Sequence, residues 1–387
     1  MSIGNGVFSY MPPKRFRKME AELATLSAFF ARENDIVIVP QSIPDSWINK
    51  MKSLGFSMPV FLTKNEIPTN NIGYLRPWGW SPATHFYFKN IKQFTSSNFK
   101  HTVNSEWKES FRDLYSRKTS ANILKKIIEN ANNPIFPSNE ELPKICQSID
   151  EVKAFVDCAQ RVLLKAPWSS SGRGLYLLNP NEFNDINAQW VSGVLKSQKY
   201  VMAEYYKEKV CDLSFQFEVL EDFSIVFLGI TFFMTDEKGN YKASYLDTES
   251  VLENNKELRV FLDSGILKIV RDKLYTVIQD SDISSEYFGS FGVDCMIYKE
   301  DGKFRFQPCI EINLRYNMGL LALKIRDKIH PDSRGIVVTE YVKHPEAFIA
   351  EMELKNPCLF KEELLYKGFV LLTIPSESNS FLTYILV

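Results

Sequence analysis

Two acidic residues and an amide lie close together in a stretch that is otherwise rich in apolar and aromatic residues. The stretch VDCMIYKEDGKFRFQPCIEINLRYNMG, residues 293–319, contains Asp294, Glu311 and Asn313. Because side chains alternate between the two faces of a strand, Glu311 and Asn313 share one face. Carboxylate and amide oxygens suit Mg²⁺, whose remaining ligands are usually phosphates and water. These residue types predict a magnesium site formed by Asp294, Glu311 and Asn313.

The spacing within this stretch predicts a hairpin whose two ends meet. Antiparallel pairing about a turn at residues 301–302 places residue 294 roughly opposite residues 309–311, so both acids come within reach of one ion. The alternative is a pair of structural acids neutralised by Arg305 or Arg315, since buried carboxylates are costly without a partner. Arg315 lies on the face of the predicted ligands, from which it can reach a phosphoryl oxygen or an intermediate.

A second group of residues, KAPWSSSGRG at positions 165–174, has the composition of a phosphate-binding loop. Glycines let backbone N–H groups approach a phosphate closely, serines add hydroxyl donors, and Lys165 and Arg173 add positive charge. The spacing is neither the Walker pattern nor the G-x-G-x-x-G of a dinucleotide fold, and a flexible surface hairpin is the alternative. The candidate phosphate-binding residues are Lys165, Ser169, Ser170, Ser171, Gly172, Arg173 and Gly174.

The segments around these motifs alternate between helical and strand patterns. Three segments have helical spacing: 120–133, 183–196 and 257–280. Strand patterns occur at 161–165, at 175–178, at 200–204 and twice within 213–234. Together with the hairpin, this mixture predicts an α+β region that positions the lysine loop and the acids.

The amino-terminal segment predicts a small α/β unit. A β-branched run at 35–40, a helical segment at 45–54 and an apolar run at 58–62 indicate a small parallel sheet. The following stretch YLRPWGWSP, residues 74–82, predicts an ordered loop because so much aromatic surface seldom stays solvated. That loop either packs against a neighbouring domain or lines a substrate pocket, with Arg76, Trp78 and Trp80 as the candidates.

Composition indicates a soluble globular protein of two or three packed units. The chain has 387 residues, of which 45% are hydrophobic, and its 46 Lys and Arg nearly balance its 47 Asp and Glu. No global field therefore draws it to nucleic acid or to an anionic membrane. Six scattered cysteines without a C-x-x-C pair predict reduced core residues, and neither a membrane-spanning run nor a secretion signal is apparent. We expect a cytoplasmic protein.

The motifs, taken in order, resemble those of the ATP-grasp superfamily, especially the carboxylate–amine ligases that include D-alanine ligase and the carbamoyl-phosphate synthetase domains. The resemblance covers roughly residues 116–330. A strand-end lysine and a Ser/Gly-rich loop come first, and an aspartate followed by Glu-x-Asn-x-Arg on the neighbouring strand comes last. Between them, the resemblance implies that Glu204 and Tyr205 of VMAEYY form the adenine hinge and that Asp212 binds the ribose.

Two further basic positions are implied by the same resemblance. The stretch RKTSANILKK offers Lys118 or Arg117 as an early phosphate contact, and GNYKASY offers Lys242, with Tyr241 and Tyr245, as residues over the phosphates. The implied fold is α+β, an ATP-grasp fold of two subdomains gripping ATP, preceded by a small Rossmann-like α/β domain. The expected boundaries are 1–115 for the Rossmann-like domain, 116–200 for the small subdomain, 201–343 for the large subdomain and 344–387 for a carboxyl-terminal extension.

The implied activity is that of an ATP- and Mg²⁺-dependent ligase, with Mn²⁺ as an alternative ion. A substrate carboxylate would be activated as an acyl-phosphate, and an amine or similar nucleophile would then displace phosphate. Lys165 and Arg315 are the catalytic candidates, and the expected partners are small-molecule carboxylates and amines, with homodimers common among such enzymes. The alternatives are a phosphotransferase or carboxylase-like enzyme of the same fold, and a catalytically silent nucleotide-binding scaffold.

Overall fold

A large antiparallel sheet and a smaller sheet carry the motifs, and a short parallel pair of strands precedes them. The computed structural model describes residue 3 and residues 6–131, 133–169, 174–179, 182–237, 239–253, 255–376 and 378–387. The strands within these ranges are β1 Ile36–Val39, β2 Val60–Thr63, β3 Lys144–Cys146, β4 Val162–Lys165, β5 Leu175–Leu178, β6 Val201–Tyr205, β7 Glu208–Val219, β8 Ile225–Thr235, β9 Tyr241–Tyr245, β10 Gly289–Glu300, β11 Lys303–Asn313, β12 Ile336–Val342, β13 Leu359–Lys361, β14 Leu364–Lys367, β15 Phe369–Leu371 and β16 Ser380–Leu386.

Helices pack against both of these sheets. The α-helices are α1 Lys14–Glu22, α2 Asp45–Ser53, α3 Pro82–Tyr87, α4 Ser97–His101, α5 Phe111–Leu114, α6 Arg117–Glu129, α7 Ile149–Asp157, α8 Asp185–Gln198, α9 Glu249–Leu252, α10 Lys256–Phe261, α11 Leu267–Gln279, α12 Asp282–Glu286, α13 Met318–Arg326 and α14 Pro345–Lys355. None of the helices in the described ranges is long and apolar enough to cross a membrane.

The large sheet has eight strands in the order β11-β10-β7-β8-β9-β12-β16-β15. Strand β7 alternates strictly: Leu213, Phe215, Phe217 and Val219 are fully buried in a core shared with helices α6 and α11. Because strand side chains alternate between faces, the intervening residues of β7 all point to the opposite face. That opposite face carries the polar groups of the site.

The small sheet has four strands in the order β3-β6-β4-β5, and helices α7 and α8 pack against it. Strand β6 begins at Val201 and pairs with both β3 and β4, so it belongs to this sheet. The boundary predicted at residue 200 would separate β6 from its partners. We therefore propose that the small subdomain ends after Tyr205.

The two ends of the chain differ in how they join the large sheet. Strands β1 and β2 pair in parallel around helix α2, as predicted, but they form a separate two-stranded sheet. The Rossmann-like domain therefore stays a prediction. Strands β15 and β16 extend the large sheet through β12, so residues 344–387 contribute to that sheet and do not form a separate extension. All six cysteines are unpaired, as predicted, although Cys158 is exposed and lies outside any core.

His85 provides a test of stability in the amino-terminal region. Its ring is buried against Trp80, and Lys92 Nζ lies 2.6 Å from its Nδ1. Burial, and then the positive charge of Lys92, lower the pKa of His85 from 6.5 to about 3. Between these two pH values His85 is protonated in the unfolded chain but neutral in the native state. The free energy of unfolding is therefore unaffected by His85 above pH 6.5 and decreases as the pH falls towards 3.

We expect the free energy of unfolding to decrease by up to about 1.4 kcal/mol per pH unit through this window on account of His85. Urea denaturation at several pH values measures the slope. His85→Gln keeps a hydrogen-bond acceptor for Lys92 without titrating, and it should flatten the curve. Equal slopes in the two proteins would contradict this assignment.

Candidate active site

The predicted hairpin forms and brings the acids together. Strands β10 and β11 are antiparallel, with Asp294 directly opposite Glu311 and Gly292 opposite Asn313. Ser214 on the neighbouring strand β7 donates a hydrogen bond of 2.8 Å to Asp294 Oδ1, and Asn313 Nδ2 donates one of 2.8 Å to Asp294 Oδ2. The three predicted magnesium ligands therefore form one contiguous cluster at the end of the hairpin.

The electrostatics of this cluster favour a cation. Burial, and then the negative charge of Glu311, raise the pKa of Asp294 to about 7, although the Ser214 hydrogen bond and Arg315 act in the opposite direction. Two carboxylates that repel each other in a buried site gain from a bound positive charge. The residues present thus suit a hard divalent cation.

A buried arginine lies on the other side of Glu311. Arg117 Nη2 is 3.2 Å from Glu311 Oε2 and donates a hydrogen bond of 3.3 Å to Ser169 Oγ. Its side chain is only 8% exposed, whereas Lys118 is exposed on helix α6. Of the two alternatives for an early basic residue, Arg117 contacts the acids and the loop, whereas the role of Lys118 stays a prediction.

Lys165 ends strand β4 as predicted, and its charge is already paired. Its Nζ lies 2.6 Å from Glu204 Oε2 on strand β6, and its side chain is almost fully buried. Burial and the negative charges of Asp294, Glu204 and Glu311 raise the pKa of the Cys309 thiol, while Lys165 opposes them. The contact between the two motifs is made by Arg117, which pairs with Glu311 and donates to Ser169 of the lysine loop.

The two described ends of the lysine loop meet each other. Gly174 has a φ of +70°, and Ala166 N–H donates a hydrogen bond of 2.8 Å to the Gly174 carbonyl. Ser169 lies between them and accepts the bond from Arg117. The other predicted loop residues, Ser170, Ser171, Gly172 and Arg173, lie outside the described residues.

Gly174 leaves little room for a side chain. A Cβ there would lie 2.8 Å from Ser169 Cβ and 3.0 Å from Ala166 Cβ, and the positive φ adds strain. We expect Gly174→Ala to lower the free energy of unfolding by about 1–2 kcal/mol or more, measured by urea denaturation. Gly193→Ala is the control, because Gly193 in helix α8 has open space around it. That change should stabilise by roughly 0.5–1 kcal/mol, and equal effects would argue against the strained loop.

Asp212, the predicted ribose contact, occupies the face of β7 that also carries Ser214. Its carboxylate lies 2.5 Å from Lys209 Nζ and accepts a hydrogen bond of 3.1 Å from Thr235 Oγ1. Burial raises the pKa of Asp212, while Lys209 and Thr235 counteract that rise. Asp212 is thus positioned one same-face step along the strand from the acid cluster.

Two predicted nucleotide contacts are not brought to the cluster by their side chains. The Tyr205 ring packs on Phe155 in the core of the small sheet, with 4.9 Å between ring centroids. Any contact of Tyr205 with a nucleotide would therefore use its backbone. Lys242 is exposed on strand β9, and its role stays a prediction.

Arg315 lies at the exit of strand β11, beside the acids. Its Nη2 donates a hydrogen bond of 2.7 Å to Asn313 Oδ1, and its Nη1 donates one of 3.2 Å to the Tyr316 carbonyl. The guanidinium is therefore held next to the predicted metal ligands, although strand β11 ends at Asn313 and Arg315 lies beyond it. Asn313 has its oxygen towards Arg315 and its nitrogen towards Asp294, so its amide would have to rotate to ligate a cation.

The polar face of strand β7 was missed by the sequence analysis. Ser214 and Gln216 are buried on this face, and Glu218 follows two residues later. The alternation in DLSFQFEVL contained the signal, because every second residue from Asp212 is polar within a strand whose other face is apolar. Ser214 in particular holds Asp294 in place.

Two solved structures are similar in fold to this chain over most of their length. N5-carboxyaminoimidazole ribonucleotide synthetase from Thermus thermophilus is similar with a TM-score of 0.50 and 9% identity, and the match covers 95% of this chain and 91% of that chain. The biotin carboxylase domain of the 2-oxoglutarate carboxylase from Hydrogenobacter thermophilus, in complex with MgADP, ADP and bicarbonate, is similar with a TM-score of 0.50 and 11% identity, covering 94% of this chain and 84% of that chain. The chain has the ATP-grasp fold.

The ATP-grasp fold predicted from the order of the motifs is therefore confirmed. No protein-family model matches the sequence, and no curated protein sequence matches it either. At identities of 9% and 11%, the two solved structures show the fold alone. What the ATP-grasp site of this chain does must therefore be argued from its own residues.

Proposed function

We propose that this chain is an ATP- and Mg²⁺-dependent ligase that activates a small-molecule carboxylate for attack by an amine or similar nucleophile. The observation that carries the proposal is the Asp294–Glu311 pair, which lies between two arginines, Arg117 and Arg315, in an ATP-grasp fold. Two repelling acids flanked by guanidinium groups suit a metal-bound polyphosphate better than they suit a structural role.

The cation would be held by Asp294, Glu311 and, after rotation of its amide, Asn313. Within the described ranges no cluster of three or more His, Cys, Asp or Glu side chains forms a potential metal site, so an ion here needs further oxygen ligands from phosphates and water. When bound, Mg²⁺ or Mn²⁺ would neutralise negative charge on the phosphates.

The chain's own cations would complete the phosphate site. Lys165 and Arg117 each bond a carboxylate now, and each can donate to phosphate oxygens from the same side of the cluster. Gly174 and Ser169 shape the described ends of the loop, and Asp212 would accept hydrogen bonds from the ribose hydroxyls. These groups position the nucleotide and require no nucleophilic His or Cys.

The proposed reaction has two balanced steps. A carboxylate oxygen of the substrate takes the γ-phosphoryl group of ATP, which gives an acyl-phosphate and ADP. The nucleophile then attacks the acyl carbon, phosphate leaves with the C–O bonding electrons, and the nucleophile loses a proton. Arg315 would stabilise the negative charge that develops on the acyl-phosphate, because its guanidinium is fixed by Asn313 at the edge of the site.

The test measures ADP release by the full chain with MgATP and a panel of small carboxylic acids and amines, each alone and in pairs. Bicarbonate, which the 2-oxoglutarate carboxylase domain holds in its structure, belongs in the panel. ADP release that requires both a carboxylate and a nucleophile is the expected result, and chelation of the metal should stop it. MgATP that neither binds nor reacts under any pairing would contradict the proposal.

The same assay separates the alternatives. A phosphotransferase would release ADP with a single acceptor, and a carboxylase-like enzyme would require bicarbonate. A silent scaffold would bind MgADP, visible as a thermal shift, without turnover.

A further inference from the structure

The polar face of the large sheet continues beyond the acid cluster. On strand β7 the residues Asp212, Ser214, Gln216 and Glu218 share one face, and β10 pairs with this whole stretch without a register shift. Each same-face step along a strand is about 6.6–6.8 Å. Glu218 therefore lies two steps, about 13 Å, beyond Ser214 in the direction away from Asp212. If Asp212 binds the ribose, Glu218 lies at the end of this polar face where the second substrate would bind.

Arg76, from the amino-terminal segment, contacts Glu218 at this end of the polar face. Arg76 Nη1 lies 3.4 Å from Glu218 Oε1, a long ion pair in which the arginine side chain remains 48% exposed. The guanidinium also lies over the Phe288 ring, 5.5 Å from its centroid, and beside the Tyr316 hydroxyl. Arg76 is thus held by Glu218, Phe288 and Tyr316 while about half of its side chain stays accessible to a ligand.

The loop that carries Arg76 is attached directly to Arg315. Tyr316 N–H donates a hydrogen bond of 2.8 Å to the Trp78 carbonyl. At Gly79 the backbone approaches so closely that a Cβ would lie 3.0 Å from Arg315 Cβ. The loop predicted to pack or to line a pocket therefore lies against the proposed catalytic arginine. Its Trp78 ring packs on Phe30, whereas Arg76 contacts Glu218 on the polar face of β7.

We infer that the substrate carboxylate belongs to a molecule with a second anionic group, a carboxylate or a phosphate, which Arg76 binds while the reacting carboxylate lies near Arg315. This inference rests on the proposed function. A guanidinium has five N–H donors in a fork that matches carboxylate and phosphate oxygens, and the 3.4 Å contact with Glu218 is too long to be a strong partner.

Glu218 has a role in the same inference. Its carboxylate competes with the second anionic group for Arg76, and it repels a molecule that offers no such group in exchange. A monoanion gains nothing from displacing Glu218, whereas a dianion replaces a long ion pair with a short bidentate one. Arg76 and Glu218 together would thus select dianionic substrates over monoanionic ones.

The test is a calorimetric titration of the full chain, with MgADP present and ionic strength held constant. Linear dicarboxylates from malonate to adipate are compared with monocarboxylates of the same lengths. Phosphonocarboxylates of matched length form a third series, which distinguishes a second carboxylate from a phosphate-like group. We expect at least one dianion to bind about tenfold more tightly than its monoanionic counterpart.

Three variants decide the origin of that preference. Arg76→Met should abolish it, whereas Glu218→Gln should maintain or increase it, because the guanidinium loses its competitor. A purely structural ion pair would instead give equal losses of stability in both variants and unaltered binding. Arg334→Met is the matched control, since Arg334 is 50% exposed and pairs with Glu253.

The two levels of the proposal fail in different ways. The inference is wrong if no dianion is preferred, or if Arg76→Met retains the preference. Failure of MgADP to bind contradicts the proposed ligase activity. In that case the dianion titrations are repeated without nucleotide, and a preference that depends on Arg76 would still support the anion site.

Discussion

Glu311→Gln is expected to lower turnover by about a thousandfold, because the change removes one negative charge from the predicted cation site while preserving size and one oxygen. The remaining acid, Asp294, would then be the single carboxylate of the predicted cation site, and both of its oxygens already accept hydrogen bonds, from Ser214 and from Asn313. The amide can still accept the hydrogen bond of Arg117, so the fold should survive.

The measurement that isolates this effect is the Mg²⁺ dependence of ADP affinity, followed by calorimetry with and without chelator. Glu311→Gln should lose the Mg²⁺-dependent part of the binding free energy. Glu300→Gln is the control, since Glu300 lies at the opposite end of the same hairpin and pairs with Arg305. If the Mg²⁺ dependence of ADP affinity is unchanged in Glu311→Gln, the acid pair does not bind the metal ion.

Lys165→Met is expected to weaken MgADP binding by about 10- to 100-fold, since a hydrogen bond to a charged group contributes about 1.5–3 kcal/mol. The change removes a cation and also leaves Glu204 without its partner at 2.6 Å. An uncompensated carboxylate beside the phosphates would add repulsion. Fluorescence or calorimetric titration with MgADP measures the loss.

Two further variants separate the causes of that loss. Lys118→Met is the matched control, because Lys118 is exposed on helix α6 and should not affect nucleotide affinity. Adding Glu204→Gln to Lys165→Met should recover part of the affinity if repulsion contributes. Full affinity in Lys165→Met would show that the lysine serves only the Glu204 ion pair.

The hairpin that carries the acids could be predicted because its determinants are local. Asp301 and Gly302 both have positive φ, as a tight Asp-Gly hairpin turn requires. Alternation along both strands then fixes which side chains share a face. The irregularity between Asp294 and Met296 was not predictable, yet the observed pairing of Asp294 with Glu311 lies within the predicted range.

Other parts of the site depend on contacts between distant segments. Helical spacing places Arg117 on the buried stripe of helix α6 with Leu124 and Ile127, but its contact with Glu311 requires that stripe to pack against β11. The Lys165–Glu204 pair likewise requires β4 to lie beside β6, and no local sequence pattern predicts that pairing. Strand pairings of this kind follow from the packing of the whole chain.

The attachment of the 74–82 loop to the exit of β11 separates two properties of the protein. The acids and the lysine loop belong to the strands proposed to hold the nucleotide, whereas Arg76 comes from a segment outside both sheets. On the proposed function, changes at Arg76 would therefore redirect which acid is chosen without altering how phosphate is transferred. Substitutions in a surface loop of this kind are a practical way to change which carboxylic acid is bound.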